Sequence, residues 1–336
     1  MLEGVRYRRT NGARSRVFCQ GERGFSTLAL LVLSTLLLAG EPQALAEGSG
    51  GQGGPLGQRD DWPCPGCIML APPGYSSAKP MPLLVVLHGD EGRAGDLYWL
   101  WKPYCEEAGF LLFAPKCPEE EGCNGRWSRW YRGLASGPHN PEWLGRQIDR
   151  VEQEYNVDRS RMYLAGRSGG SFYLGFYAIA NAGRFAAVSY ASGGQPFLKT
   201  CPACKIPAYF LIGERDEWFE NATWLRDLYD SCGHEYVWDA RPGAHHSISP
   251  QLRETAPRIL EWFLEHPLAC SSNPGSGDPP DGGSSPALYE ENSGGCTMAG
   301  VPGRKSQPGA ASLGVAAVAT AAIAVAMAMI AAAASS

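Results

Sequence analysis

Short apolar runs alternate with stretches of helical periodicity through the middle of this chain of 336 residues. Residues 82–89 (PLLVVLHG) and 110–117 (FLLFAPKC) are nearly continuous apolar runs, which is the pattern of strands buried on both faces. Between them, residues 96–109 (DLYWLWKPYCEEAG) have the apolar spacing of a helix that stops at a glycine. Because parallel strands need a crossover of this kind, the pattern predicts a mostly parallel sheet with helices on both faces.

The alternation continues to roughly residue 265 and predicts four further strands and four further helices. In a sheet of this kind the chemistry gathers beyond the carboxyl ends of the strands. Residues able to take part in catalysis stand at these predicted ends: His88, Gly89, Ser168, Asp216, His245 and His246. Their convergence predicts one site at that edge of the sheet.

The stretch LAGRSGGSF, residues 164–172, holds Ser168 in the pattern G-x-S-x-G. In a chain with 42 glycines these five letters alone carry little weight. Here an apolar strand precedes the motif and an apolar helix follows it, which is the context that a nucleophile elbow requires. Gly166 and Gly170 would relieve crowding in so tight a turn. Ser168 is therefore the predicted nucleophile, and an ordinary serine in a glycine-rich turn is the alternative.

A serine hydroxyl needs a base, and the base needs an acid that orients its ring. The chain order Ser…Asp…His places the base after the last strand, where two histidines are adjacent. Only one of them can point at the serine, and we predict His246 as the base with His245 as the alternative. Asp216, which follows the strand before, is the predicted acid, and Asp239 is the alternative.

A tetrahedral acyl intermediate also needs hydrogen-bond donors for its oxyanion. The backbone N–H of Gly169, directly after the nucleophile, is one predicted donor. The second is expected from the loop after the strand VVLHG, as the N–H of Asp90 or Gly89. His88 in that loop is expected to have a structural role rather than a catalytic one.

Four stretches together resemble a known family. LLVVLHGD, YNVDRSRMYLAGRSGGSFYLGFYAIANAGRFAAVSYASGG, LIGERDEWF and GAHHSISP resemble α/β-hydrolase esterases related to polyhydroxybutyrate depolymerases and feruloyl esterases. The resemblance covers most of residues 80–265 and implies the α/β-hydrolase fold. The last motif of that family often reads G-x-G-H-S, which aligns its histidine with His246. The elbow differs, since many relatives have GLSAGG where this chain has GRSGG.

The family also often carries an aromatic-rich stretch after the second core strand. RWSRWYRG, residues 126–133, stands at that place and implies a substrate pocket lined by Trp127, Trp130 and Tyr131. Packing of these rings within the loop is the alternative. The paired cysteines and the C-terminal tail are not typical of the family, which weakens the transfer of any specific substrate.

The predicted function is that of an exported serine hydrolase that cleaves carboxylic esters, small or polymeric, through a Ser-His-Asp triad and an acyl-enzyme. A serine peptidase of the same fold and a non-catalytic surface binding module are the alternatives. No cofactor and no metal are predicted. The net charge of −5 gives no reason to expect a nucleic acid as a partner.

Nine of the eleven cysteines fall in the predicted domain or at its edge. Disulfides are the expectation for an exported chain. The two C-x-x-C pairs, CPGC and CPAC, leave a zinc or redox site as an alternative, although roughly 130 residues separate them, far from zinc-ribbon spacing. Cys117 and Cys123 are a candidate pair, and the odd number leaves at least one thiol free or paired elsewhere.

The ends of the chain differ in composition from its middle. Residues 1–46 combine arginines, an apolar run and an A-x-A site, which predicts a signal peptide. We predict flexible linkers at 47–61 and 270–309, with the α/β-hydrolase catalytic domain at 62–269. The apolar segment 310–336 predicts attachment to the membrane or resembles a bacterial C-terminal sorting signal. The predicted location is the cell envelope, the cell surface or the medium.

Overall fold

The computed structural model describes residues 6–7, 47–130, 142–198 and 200–270. The predicted signal peptide, apart from residues 6–7, lies outside these ranges. So do nearly all of the predicted linker 270–309 and the whole apolar segment 310–336. Among the described residues no helix has both the length and the apolar character of a membrane span.

Strands and helices alternate along the described chain. The strands are β1 (Arg6–Tyr7), β2 (Gly57–Asp60), β3 (Ile68–Ala71), β4 (Met81–Leu87), β5 (Leu111–Ala114), β6 (Val157–Arg167), β7 (Ala187–Ala191), β8 (Ala208–Gly213) and β9 (Tyr236–Arg241). The helices are α1 (Ala94–Ala108), α2 (Trp127–Trp130), α3 (Trp143–Glu154), α4 (Gly169–Ala180), α5 (Phe219–Ser231) and α6 (Ser249–Leu264). The apolar runs at residues 82–89 and 110–117 contain β4 and β5.

The strands form one sheet in the order β1-β9-β8-β7-β6-β4-β5-β3-β2. The six strands from β9 to β5 in this order run parallel, and the edge strands β1, β3 and β2 pair antiparallel. The predicted mostly parallel sheet is therefore confirmed. The chain has the α/β-hydrolase fold.

Two hydrophobic cores lie on opposite faces of this sheet. Strand β4 serves both, because Leu83, Val85 and Leu87 pack on one face while Leu84 and Val86 pack on the other. Side chains from α1 and α6 belong to one core, and those from α2, α3, α4 and α5 belong to the other. Covering of both faces is what the continuous apolar strands predicted.

Four disulfides cross-link the described chain, which confirms the predicted oxidised cysteines and is compatible with export. The predicted pair Cys117–Cys123 is present, and Cys105 is a buried free thiol. The thiols of CPGC are joined to each other, whereas those of CPAC are joined to distant cysteines: Cys64–Cys67, Cys201–Cys232 and Cys204–Cys270. The described residues hold no cluster of His, Cys, Asp and Glu suited to a metal ion.

Residues 47–61 differ from the predicted flexible linker, because they lie along the domain. The Ser49 N–H donates to the Val157 carbonyl at 2.8 Å, and the end of the segment forms β2. Glycine makes this close approach feasible, since a Cβ at Gly51 or Gly54 would come within 2.4 Å of Tyr155. Glycine richness here serves packing rather than flexibility.

Candidate active site

Ser168 lies in the turn between β6 and α4, the strand–turn–helix context that the sequence predicted. Its backbone has φ 52° and ψ −120°, a conformation that a residue with a side chain rarely adopts. The turn is tight enough to demand glycine on both sides. A Cβ at Gly166 would lie 2.7 Å from the backbone of Gly170, and one at Gly170 would lie 2.2 Å from the Leu87 carbonyl oxygen.

His246, in the loop after β9, brings its ring to this serine. Its Nε2 lies 2.9 Å from Ser168 Oγ. The neighbouring His245, the alternative base, is exposed. Of the two adjacent histidines, His246 is therefore the one that contacts Ser168.

Asp216, after β8, lies on the other side of the imidazole. Its two carboxylate oxygens are 3.0 and 3.2 Å from His246 Nδ1. The Trp218 N–H donates to the same carboxylate at 2.9 Å, and the Asp216 side chain has no exposed surface. A carboxylate can only accept, so Nδ1 carries the proton and Nε2 is left as the acceptor for the serine hydroxyl.

The two ionisable groups shift each other. Burial on its own raises the pKa of Asp216, but the hydrogen bonds from His246 and the Trp218 N–H outweigh it and hold that pKa below its usual range. The hydrogen bond to Asp216 raises the pKa of His246 above its usual value, against the opposing effect of burial. The pair is thus arranged to stabilise an imidazolium beside a carboxylate.

The alternative acid, Asp239, is used elsewhere. It lies within β9 and is buried, where it pairs with Arg241 at 2.8 Å and Arg258 at 2.6 Å. It also accepts a hydrogen bond from the Tyr209 hydroxyl at 3.0 Å. Asp239 therefore anchors a local ion-pair cluster and does not lie against His246.

The loop after β4 approaches Ser168 closely. A Cβ at Gly89 would lie 3.3 Å from Ser168 Cβ, and a Cβ at Gly169 would lie 2.8 Å from the Asp90 nitrogen. The predicted oxyanion donors, the N–H groups of Gly169 and of Asp90 or Gly89, therefore belong to backbone that meets at Ser168. The Gly169 N–H opens helix α4, where backbone donors have no partner within the helix.

His88 holds this loop from behind. Its Nδ1–H donates to the Gly89 carbonyl at 2.7 Å, and its Nε2 accepts from the Cys117 N–H and Trp127 Nε1–H at 3.1 Å each. The Gly89 carbonyl and the Asp90 N–H belong to one trans peptide and point in opposite directions. The hydrogen bond from His88 to the Gly89 oxygen therefore also fixes the direction of the Asp90 N–H. Burial lowers the pKa of His88, which keeps the ring neutral.

Two of the three aromatic residues predicted to line a substrate pocket, Trp127 and Trp130, belong to the hydrophobic core on one face of the sheet. Trp127 and Trp130 are buried and pack against each other and against Tyr173, as the packing alternative describes. Tyr131 lies outside the described residues. Contact of Trp127 or Trp130 with a substrate stays a prediction, and in this structure Trp127 holds the His88 tautomer.

A different aromatic pair borders the site. Trp218 is 39 % exposed and meets Phe172 edge to face, with ring centroids 5.1 Å apart. The Phe172 N–H donates to the Ser168 carbonyl at 3.0 Å, and the Trp218 N–H donates to Asp216, so the pair adjoins both Ser168 and Asp216. The sequence signal for this pair was Trp218 itself, two residues after Asp216, which was not among the predicted site residues.

The sequence and the structure of this chain were each found to be similar to those of known proteins. No protein-family model matches the sequence. The chain is 27 % identical over 139 residues to the bifunctional acetylxylan esterase/xylanase of Neocallimastix patriciarum. That match covers 40 % of this chain and only 19 % of the relative. It agrees with the resemblance to esterases stated from the sequence.

Two solved structures that are similar to this chain illustrate the extent of the match. A thermostable esterase is 22 % identical, with 60 % of this chain and 59 % of that chain covered and a TM-score of 0.48. Est1E from Butyrivibrio proteoclasticus is 13 % identical, with 59 % and 94 % covered and a TM-score of 0.43.

Proposed function

We propose that the chain is an exported serine hydrolase of carboxylic esters, with Ser168 as nucleophile, His246 as base and Asp216 as the acid that orients it. The observation that carries the proposal is the continuous hydrogen-bonded path from Ser168 Oγ through the His246 ring to the Asp216 carboxylate. A serine held at positive φ between a strand and a helix is its second support.

The reaction proceeds in two halves. His246 Nε2 takes the hydroxyl proton as Ser168 Oγ attacks the ester carbonyl, and the carbonyl oxygen becomes an oxyanion. The N–H groups of Gly169 and Asp90 receive that oxyanion, with Gly89 as the alternative to Asp90. His246 then protonates the leaving alcohol as the C–O bond breaks, which leaves an acyl-enzyme on Ser168. In the second half, His246 takes a proton from water, whose oxygen attacks the acyl carbon. His246 then returns that proton to Ser168 Oγ as the bond between Oγ and the acyl carbon breaks, which releases the carboxylic acid and restores the serine.

The groups around the base suit these proton transfers. The buried carboxylate of Asp216 stays ionised because its pKa is lowered, and it stabilises the imidazolium formed in each half-reaction. The raised pKa of His246 makes it a stronger base toward the serine proton. Positioned acid–base catalysis of this kind contributes about 10²–10⁴-fold to a rate.

The substrate class is proposed on two grounds. The relative from Neocallimastix patriciarum carries acetylxylan esterase in its name, which favours a short acyl group on a carbohydrate alcohol. The half-exposed indole of Trp218 beside the site offers a flat apolar surface for a sugar or aromatic ring. Polymeric esters of hydroxybutyrate or ferulate remain within the same chemistry.

Export is part of the proposal. Four disulfides in the described residues suit an oxidising compartment. Residues 1–46 supply the proposed signal peptide, and 310–336 the proposed attachment to the membrane or cell surface.

Hydrolysis of p-nitrophenyl acetate by the wild type and three variants tests the mechanism. Ser168→Ala and His246→Ala are expected to lose activity by about 10⁴-fold or more, because removal of one triad member costs on the order of 10⁴–10⁶-fold in kcat. His245→Ala is the matched control and is expected to keep near-wild-type turnover. Wild-type turnover in Ser168→Ala would refute the mechanism. A panel of acetylated xylan, feruloyl esters and hydroxybutyrate oligomers then ranks substrates by kcat/KM.

A further inference from the structure

The side chain of Asp90 has an arrangement that its proposed role as a backbone donor does not require. A Cβ at Gly169 would overlap the Asp90 Oδ1 position at 1.8 Å. The carboxylate therefore lies directly against the backbone that follows the nucleophile. A negative charge this close to the proposed oxyanion opposes the reaction unless its position and its charge are controlled.

Ser128, in the first turn of α2, supplies that control. Its backbone N–H donates to Asp90 Oδ1 at 3.0 Å, and its hydroxyl donates to Oδ2. Both oxygens are held by the same residue, so the carboxylate cannot rotate about its own axis. Ser128 fixes the side chain of Asp90, and the hydrogen bond from His88 to the Gly89 carbonyl fixes its peptide. Together these contacts restrict the Asp90 N–H to a single orientation.

We propose that Ser128 is a positioning residue of the oxyanion hole and acts through the carboxylate of Asp90. This inference rests on the proposed function. Ser128 does two things for the reaction. It aims the Asp90 N–H at the place where the carbonyl oxygen becomes negative, and its two donors turn the negative charge of the carboxylate toward themselves and away from that oxygen.

The segment that carries Ser128 is built to stay in place. It follows the Cys117–Cys123 disulfide, and the neighbouring Trp127 is buried and bonded to His88. Two adjacent residues of α2 thus form hydrogen bonds to the loop after β4: Trp127 to His88, and Ser128 to Asp90. Loss of the Ser128 hydroxyl removes one hydrogen bond to Asp90 and leaves the bond between Trp127 and His88 intact, so the expected defect is local.

The test compares kcat and KM for p-nitrophenyl acetate in the full-length protein, together with inhibition by a boronic acid, which forms a tetrahedral adduct on serine. Removal of an oxyanion donor costs about 10²–10³-fold in kcat, so a donor that is displaced but still present should cost roughly tenfold. We expect Ser128→Ala to lower kcat by about tenfold with KM within twofold, and to weaken boronic acid inhibition by a similar factor.

Conservative variants separate positioning from packing. Ser128→Thr keeps the hydroxyl and should restore kcat. Asp90→Asn keeps an acceptor for the Ser128 N–H and an amide partner for its hydroxyl, so its kcat should exceed that of Asp90→Ala, which should match Ser128→Ala. Arg126→Ala is the matched control. Arg126 lies on the same segment as Ser128, and its replacement removes only an exposed ion pair with Glu91.

Three results would overturn the inference. These are a Ser128→Ala enzyme with the kcat of Arg126→Ala, a rise in KM at unchanged kcat, and an Asp90→Asn enzyme as impaired as Asp90→Ala. Should Ser128→Ala fail to fold, the Asp90→Asn and Asp90→Ala pair decides the question. A wild-type protein without Ser168-dependent turnover would instead refute the proposed function and the inference with it.

Discussion

Gly170→Ala adds a single methyl group where the turn after Ser168 packs against the end of β4. The added Cβ would lie 2.2 Å from the Leu87 carbonyl oxygen and 2.7 Å from that of His88. Real Cβ atoms essentially never come closer than 3.0 Å, so the two chain segments must separate by about 0.8 Å. All of these neighbours are backbone atoms, which cannot turn aside as a side chain can.

Both stability and activity should fall as a result. Overpacking of this kind costs about 1–3 kcal/mol, which for a domain of this size lowers Tm by between about 2 and 12 °C. The segment that must move ends β4 and leads into the following loop, which carries the proposed oxyanion donor Asp90. Misplacement by about 1 Å costs on the order of 10²-fold in rate, so kcat is expected to fall by that factor even in molecules that remain folded.

The assay is thermal unfolding together with kcat for p-nitrophenyl acetate. Gly74→Ala is the matched control, because a Cβ there meets nothing within 4 Å and the residue has no positive φ. That control should keep both Tm and kcat. A Gly170→Ala protein with wild-type kcat and Tm would refute the claim that the elbow packs on β4 as described.

Three further predictions concern the base, the rim of the site and the cross-links. The kcat/KM of the wild type should rise with pH through a midpoint above 6.5, because only neutral His246 accepts the serine proton and the pKa of His246 is raised. Asp216→Asn removes the largest cause of that raised pKa, so the pH midpoint of this variant should be lower than that of the wild type. The kcat of Asp216→Asn should also fall by roughly 10³–10⁴-fold. Trp218→Ala should raise KM for carbohydrate or aromatic esters about tenfold, as expected for one lost ring contact, while p-nitrophenyl acetate kcat stays within twofold, both read from Michaelis kinetics. Joint replacement of Cys204 and Cys270 by serine should cost up to about 4 kcal/mol in the free energy of unfolding measured with urea, since that bridge spans 66 residues.

Each of these has a matched control and a result against it. His245→Ala should leave the pH midpoint unchanged, and an Asp216→Asn midpoint at or above that of the wild type would contradict the account of the base. Trp224→Ala removes a comparably exposed indole and should leave KM unchanged. The Cys64–Cys67 bridge spans three residues, so its removal should cost only about 1.6 kcal/mol, and an equal cost for both bridges would count against the entropic argument.

The central strands and the meeting of Ser168, Asp216 and His246 at one edge of the sheet were predictable from the sequence because their signals are local. The apolar run of β4, the glycines around Ser168 and the chain order of Ser168, Asp216 and His246 each follow from short patterns whose physical reason holds in isolation. The choice between His245 and His246 is different in kind, because adjacent residues share the same pattern. His246 was the predicted base with His245 as the alternative, the family resemblance supported that choice, and the contact at 2.9 Å agrees with it.

Long-range packing accounts for what sequence reasoning did not supply. The edge strands β2 and β3 have four residues each and carry little periodicity. The thiols of CPAC look like a local pair, yet Cys201 and Cys204 bond to cysteines 31 and 66 residues away. The aromatic stretch around Trp127 was predicted to line a substrate pocket, whereas in the structure the buried Trp127 indole donates a hydrogen bond to His88. Such pairings depend on the tertiary arrangement and leave no mark on the local pattern.

The central claim is that Ser168 forms the covalent acyl-enzyme. Reaction with a fluorophosphonate, followed by mass spectrometry of the intact protein and of its peptides, tests this directly. The account predicts one adduct per chain, located on the peptide that contains Ser168, with loss of labelling and of ester turnover in Ser168→Ala. An adduct on another residue, or undiminished labelling of Ser168→Ala, would contradict it.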